Sequence, residues 1–320
     1  MSQDGNRFPV NQMKKKLFQY TGIFLAVILP AACGRQDDVP VAQDDGAFDQ
    51  ARALMSEGDI RPAVELFSRV ISRGERLAEA RLERGKAYLA LGRPESAAED
   101  FSRVIGMDPK NADAHYQLGV ARARNKDFSG AAEAYSTVIG VQPDYVKAYV
   151  NRAGIYAQLG KMREAIADCD AAIALDPYDA SFLVNRGIFY NQSGDPERSR
   201  RDWDEALRLN PKLPGAYFAR AVLYHAAKSE YREALADLDR GLELQPGYSY
   251  ALQERAKVKH ELEDYEGAIE DFSVLISRFP GIAPAWLARA KAWEAFGAPE
   301  KALADRRKAL ELDPALADEP

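Results

Sequence analysis

Residues 78–111 read AEARLERGKAYLALGRPESAAEDFSRVIGMDPKN, and this stretch decides the fold. Its apolar residues follow a helical rhythm as far as Leu91, where the sequence GRP at residues 92–94 interrupts it. The proline of that turn suits the first turn of a helix, which has no use for the missing N–H. A second apolar stripe that contains Phe101 then runs to Pro109. The stretch predicts two helices joined by a tight turn, and it shows no sustained alternation of the kind that indicates a strand.

The same frame recurs along most of the chain. Prolines mark it: Pro109, Pro143, Pro177 and Pro211 are each 34 residues apart, Pro246 follows after 35, and Pro280 and Pro314 resume the step of 34. The frames occupy residues 44–77, 78–111, 112–145, 146–179, 180–213, 214–248, 249–282 and 283–316. A fixed period of this length is typical of stacked supersecondary units.

Small and aromatic residues recur at fixed places in the frame. Gly85, Tyr88, Gly92, Ala97 and Phe101 precede Pro109 by 24, 21, 17, 12 and 8 residues, and later frames repeat these offsets. The pattern resembles the tetratricopeptide repeat, a 34-residue helix-turn-helix family. The resemblance implies an all-α fold, namely a right-handed α-solenoid of eight repeats whose first helices line a concave groove and whose second helices face outward.

Two columns of residues are expected to serve packing. The eighth place is small because a large side chain would hold the paired helices apart; it holds Gly85, Gly119, Ala153, Gly187, Ala221, Ala256 and Ala290. The seventh place is mostly arginine, whose fixed donors can join neighbouring repeats through carboxylates or carbonyls. That column is Arg84, Arg152, Arg186, Arg220, Arg255 and Arg289. Its functional alternative is an anionic glycan or an acidic peptide as ligand.

The resemblance also implies which side chains face the groove. In the middle frames these are apolar residues interleaved with amides: Tyr116, Gln117, Val120, Val150, Asn151, Val184, Asn185, Ile188, Asn191, Gln192, Phe218 and Val222. An exposed stripe of this kind usually marks a binding surface, and amides can pair with both N–H and C=O of an extended peptide. The alternative is that curvature or a loop covers it. The clamp by which some family members hold the C-terminal carboxylates of chaperones is not matched, since Tyr116 and Val120 replace its lysine and asparagine.

The first 43 residues differ in character from the repeats. A basic run at residues 14–16 precedes Leu17–Ala32, which carries no formal charge, and Cys33 follows. This arrangement predicts a secretory signal over residues 1–33, because its apolar run is shorter than the ~20 residues of a membrane-spanning helix. Translation would start at Met1 or at Met13, and the second start leaves a basic region of usual size. Residues 34–43, polar and acidic, would form a flexible tether.

Residues 29–33 (LPAAC) resemble the cleavage box of bacterial lipoproteins, in which the cysteine is acylated, for example with palmitate, and becomes the new N-terminus. Ala31 and Ala32 fit that box, whereas Pro30 stands where the family usually has leucine. The resemblance implies lipidation of Cys33 and a periplasmic protein held at a membrane. Gly34 favours the outer membrane. An ordinary cleaved signal and an uncleaved anchor remain the alternatives.

Composition argues against several other functions. Residues 44–320 contain 38 basic and 46 acidic residues, a net charge of −8, whereas a nucleic-acid binder needs a basic stripe. No phosphate loop, zinc-spaced histidine pair or nucleophile elbow occurs.

His225 and His260 share the twelfth place of adjacent frames, and we expect polar lining there more than metal binding. Cys169 replaces an aromatic residue and predicts a small buried side chain. We therefore expect no enzyme activity, cofactor or metal.

These features together predict a lipid-tethered envelope adaptor that binds extended segments of partner proteins. The family's lipoproteins include protease or peptidoglycan-enzyme adaptors and pilus or secretin assembly factors. The alternative is a self-associating scaffold without a groove ligand. In the last frame Arg306 replaces the packing aromatic, which favours an end of the array near residues 317–320. That end would be a possible homodimer contact.

Overall fold

The computed structural model describes residues 46–74 and 76–318, and all regular structure in those ranges is helical. In chain order, the helices that these residues form are α1 Ala47–Glu57, α2 Ile60–Ser72, α3 Leu77–Ala90, α4 Pro94–Met107, α5 Ala112–Arg124, α6 Phe128–Val141, α7 Val146–Gln158, α8 Met162–Leu175, α9 Ala180–Gln192, α10 Pro196–Leu209, α11 Pro214–Arg220, α12 Tyr231–Leu244, α13 Ser249–Glu261, α14 Tyr265–Arg278, α15 Ala283–Phe296 and α16 Pro299–Leu312. A 3-10 turn, Pro314–Asp318, follows.

The helices form consecutive packed pairs in two compact units. The first unit ends at Asp176 and contains α1 to α8; the second starts at Pro177 and contains α9 to α16. In the first unit α3 packs against α4, and α4 packs against α5 of the next pair. In the second unit α9 packs against α10, and α14 against α15. The all-α fold of stacked helix pairs that the sequence predicts is confirmed.

Local sequence sets where the helices begin and end. Asn111 and Asp179 cap α5 and α9, because their side chains accept hydrogen bonds from Ala114 N and Ser181 N. The turn inside each pair contains one residue with left-handed backbone, such as Gly92 (φ 69°). This conformation explains why glycine recurs at that place of the frame.

The small eighth place is needed for close packing within a pair. A Cβ built on Gly85 would lie 2.4 Å from the ring of Phe101, and one on Gly187 would lie 2.5 Å from Trp203 Nε1. Phe101 and Trp203 are fully buried. The glycines therefore let the aromatic residue of the second helix rest directly on the first, as expected from the sequence.

The arginine column joins helices within and between repeats. Arg84 donates from Nε and Nη2 to the two oxygens of Asp100 (both 2.7 Å), and its Nη1 reaches Ser68 Oγ of the preceding repeat at 2.9 Å. The same bidentate pairing recurs at Arg152–Asp168, Arg186–Asp202, Arg220–Asp237, Arg255–Asp271 and Arg289–Asp305. Because each of these guanidinium groups is already bound to a carboxylate, the arginine column has a structural role and is not a ligand site.

The 35-residue frame accommodates its extra residue in its first helix. After α11 the chain forms a π-helical turn, Ala221–His225, and a 3-10 turn, Ala226–Lys228. Ser229 then takes the left-handed conformation (φ 62°). A π-turn inserts one residue without breaking the helix.

Candidate binding surface

The predicted groove residues lie on the first helices, in two sets that belong to different units. We call them the α5/α7 surface (Tyr116, Gln117, Val120, Val150 and Asn151) and the α9/α11 surface (Val184, Asn185, Ile188, Asn191, Gln192, Phe218 and Val222). Most members are partly exposed, but Val120, Phe218 and Val222 are buried. Because these three side chains are buried, they offer a ligand little surface.

On the α5/α7 surface, two amides are engaged by their own neighbours. Asn151 Nδ2 donates to Tyr116 Oη at 3.0 Å and lies 3.5 Å from Tyr135 Oη. Gln117 Nε2 donates to Asp113 Oδ1 at 3.3 Å. The Asn151 amide is therefore held in one orientation, and what it can offer a ligand is its carbonyl oxygen.

A tyrosine that the sequence reasoning did not select completes this surface. The ring of Tyr145 lies 5.1 Å from that of Tyr116, which lies 5.7 Å from that of Tyr135. Burial raises the pKa of the Tyr116 hydroxyl, partly offset by the hydrogen bond from Asn151, and burial raises the pKa of Tyr145 to about 12. At neutral pH these side chains are therefore uncharged aromatic contacts with polar tips.

A recurring pair could have revealed Tyr145. In the 35-residue frame, Tyr248 stands at the corresponding last place, and its ring lies 5.0 Å from that of Phe218. In both frames an aromatic residue at the fifth place is matched by a tyrosine at the end.

On the α9/α11 surface, α9 presents one side with apolar and amide groups. Val184 and Ile188, one turn apart, are partly exposed, and Asn185 and Gln192 flank them. Among the described residues, neither of these two amides has a hydrogen-bond partner, so both are available to a ligand. Asn191 is engaged: its Nδ2 donates to Leu223 O at 3.1 Å, a carbonyl within the π-helical turn.

Phe218 is buried for a steric reason. A Cβ added to Gly241 of α12 would lie 2.2 Å from the Phe218 ring, so this ring occupies the space beside the second helix. In this frame the aromatic residue belongs to the first helix and the glycine to the second. In the preceding frame Gly187 belongs to the first helix and Trp203 to the second. The place of Phe218 in the frame did not predict that its ring would be buried.

His225 and His260, which share a place in adjacent frames, have different contacts. His225 Nδ1 lies 2.7 Å from Glu230 Oε2, and its Nε2 lies 3.7 Å from Asp237 Oδ2. His260 packs edge-on against Tyr265, and burial lowers its pKa. Within residues 46–74 and 76–318, no cluster of His, Cys, Asp and Glu side chains could hold a metal ion.

Of the two cysteine predictions, one concerns a described residue and the other lies outside the described part of the chain. Cys169 is 2% exposed in α8, which confirms the expectation of a small buried side chain. Cys33, the predicted signal and the tether lie outside the described residues. None of the helices in the described part is long and apolar enough to cross a membrane.

Comparison with protein families matches the tetratricopeptide repeat at residues 48–112, 82–140, 116–180, 190–249, 220–283 and 254–317. The chain belongs to the tetratricopeptide repeat family. Members of this family are generally non-enzymatic adaptors, and the fold suggests a scaffold for protein–protein interaction. No curated protein matches the sequence.

Solved structures resemble the repeat protein in fold. A tetratricopeptide repeat protein from Parabacteroides merdae is 21% identical with a TM-score of 0.58, over 74% of this chain and 94% of that one. PilF of Pseudomonas aeruginosa is 22% identical with a TM-score of 0.56, over 67% and 96%. The APC/C hetero-tetramer Cut9–Hcn1 is 15% identical with a TM-score of 0.58, over 84% and 53%. At these identities the likeness concerns the fold alone.

Proposed function

We propose that this repeat protein is a non-enzymatic adaptor, tethered by lipid in the bacterial envelope, that binds extended segments of partner proteins on its first helices. The proposal rests mainly on one side of α9. There Val184 and Ile188 are partly exposed, and the nearby amides of Asn185 and Gln192 have no hydrogen-bond partner among the described residues. An extended peptide has unsatisfied backbone N–H and C=O groups, and an amide can meet both.

Apolar area and amides have separate roles in this interaction. Val184 and Ile188 supply apolar area for affinity, at about 25 cal/mol per Å² removed from water. The amides fix the direction and register of the bound chain through hydrogen bonds. The α5/α7 surface supplies a second set of contacts of the same kind, through Val150 and the carbonyl of Asn151.

A matched pair of variants tests this proposal. Val184→Glu places a charge on the α9/α11 surface, whereas Val274→Glu places the same charge on α14, where Val274 is 40% exposed and outside the proposed surface. Proteins captured from envelope extracts should be lost with Val184→Glu and kept with Val274→Glu. Equal capture by both variants would show that the α9/α11 surface does not bind these proteins.

The envelope location rests on sequence features outside the described residues. The basic run, the apolar stretch and residues 29–33 support export and acylation of Cys33, with Gly34 favouring the outer membrane. The tether would then hold the repeats at the membrane beside other envelope proteins, such as proteases, peptidoglycan enzymes, or pilus and secretin components. Mass spectrometry of the mature protein tests this: an acylated Cys33 as first residue is expected, and retained upstream residues or an unmodified thiol would contradict it.

A further inference from the structure

The contact between the seventh and eighth repeats shows how the outer side of a second helix, meaning the side that faces the following repeat, is packed. Ile269 of α14 packs against Ala292 and Trp293 of α15. Two helical turns later, Ile276 packs against Ala285. These contacts leave Ile269 and Ile276 only 7% and 5% exposed.

Among the described residues, the same side of α16 is left partly exposed. Leu303 and Leu310 stand 34 residues after Ile269 and Ile276, in the same places of the frame. They are 50% and 39% exposed. A side of a helix that is only solvated would carry polar residues at these places, so two exposed leucines in interface places indicate a contact surface.

One residue between these leucines reverses the polarity of the interface. At the corresponding place of the seventh repeat, Ser273 Oγ accepts a hydrogen bond from Arg289 Nη1 at 3.0 Å. Arginines of other repeats donate in the same way to Ser68, Ser136, Asp204 and Asp239. In α16 this acceptor place holds Arg307, which is exposed and has no hydrogen-bond or ion-pair partner among the described residues.

The neighbouring arginine does not compete for a ligand. Arg306 replaces the packing aromatic, but it is bound to Glu294 through Nε at 3.0 Å and Nη2 at 2.9 Å. Arg307 is therefore the cation that this surface presents. A helix carrying arginine, like α15, would meet like charge there, whereas a helix carrying a carboxylate would meet its complement.

We propose that the outer side of α16, formed by Leu303, Arg307 and Leu310, binds an amphipathic helix of a partner protein that carries an acidic residue opposite Arg307. The spacing follows from α15, where Ala285, Arg289 and Ala292 make the corresponding contacts. The partner helix would present an apolar residue, a carboxylate four residues later, and an apolar residue three further on. This site is separate from the first-helix surfaces and does not rest on their function.

Peptides copied from α15 test the proposal on the full chain. The probe is an N-acetylated, C-amidated peptide of residues 282–298 with Arg289→Glu, and the control peptide has the native sequence. Binding is followed by titration calorimetry and by light scattering of the protein alone. The Arg289→Glu peptide should bind about tenfold or more tightly than the native one.

Two protein variants make the outcome specific. With Arg307→Glu, the preference should reverse in favour of the native peptide, and with Leu303→Asp neither peptide should bind. Equal affinity for both peptides, no binding of either, or a preference that Arg307→Glu leaves unchanged would overturn the proposal. Self-association of the protein that is lost with Leu303→Asp would assign this side to a second copy, and it would also overturn the proposal.

Discussion

Arg152 and Asp168 form a bidentate pair, with Nε to Oδ2 at 2.9 Å and Nη2 to Oδ1 at 2.7 Å. The third donor, Nη1, reaches Ser136 Oγ of the preceding repeat at 2.8 Å. The side chain of Asp168 is 7% exposed and that of Arg152 is 16% exposed. The hydrogen bonds to Asp168 raise the pKa of Arg152, and burial opposes this. One guanidinium therefore ties a helix pair together and links it to its neighbour.

Breaking this pair should cost far more than replacing it. Asp168→Ala leaves a poorly solvated guanidinium without its carboxylate and should lower the free energy of unfolding by about 3 kcal/mol. The third repeat shows the apolar substitute, since Leu118 and Ala134 stand in the two corresponding places.

The double variant Arg152→Leu with Asp168→Ala should therefore lose less than about 1 kcal/mol. Urea-induced unfolding followed by circular dichroism measures both variants. A double variant as unstable as Asp168→Ala would mean that the charge pair itself, rather than the avoidance of an unpaired charge, stabilises the repeat.

Gly187→Ala tests the close packing within a pair. Its new methyl would lie 2.5 Å from Trp203 Nε1, which donates to Val184 O at 3.2 Å, so the ring must shift. We expect a loss of about 1–3 kcal/mol and a change in tryptophan fluorescence. The control is Gly154→Ala in α7, where a Cβ meets nothing within 4 Å. That variant should gain about 0.5–1 kcal/mol from the better helix propensity of alanine. Equal effects of the two changes would contradict the packing role.

Lys126→Gly tests the turn between α5 and α6. Lys126 has φ 61° where most frames have glycine. Glycine adopts this conformation without steric cost, although it gains entropy in the unfolded chain. We expect a net gain of roughly 0.5 kcal/mol, seen as a higher urea midpoint. Lys110→Gly, at an exposed turn position without positive φ, should not stabilise. A loss of stability with Lys126→Gly would show that the lysine makes compensating contacts.

The sequence predicted the fold because the period fixes which residues meet. α5, α7, α9 and α13 begin at the first residue of their frames, and the small eighth place lies against the predicted aromatic residues. The structural role of the arginine column is predictable from the sequence, because an arginine that recurs once per repeat faces the same neighbours each time.

The candidate site was less predictable, because the burial and hydrogen bonding of a side chain depend on packing that its place in the frame does not determine. Phe218 is buried since Gly241 leaves space for its ring, and the Asn191 amide is taken by a carbonyl of the π-helical turn. The 35-residue frame revealed an insertion but not that it would form this turn. Tyr145 escaped selection because its place in the frame lies outside the first helix.

Photocrosslinking in the intact cell tests whether the α9/α11 surface contacts a partner protein. A benzoylphenylalanine at position 185, replacing Asn185 on the α9/α11 surface, is compared with one replacing the exposed Arg201 on α10. We expect a discrete adduct with another envelope protein from position 185 and none from position 201. No adduct from position 185, or the same adducts from both positions, would contradict it.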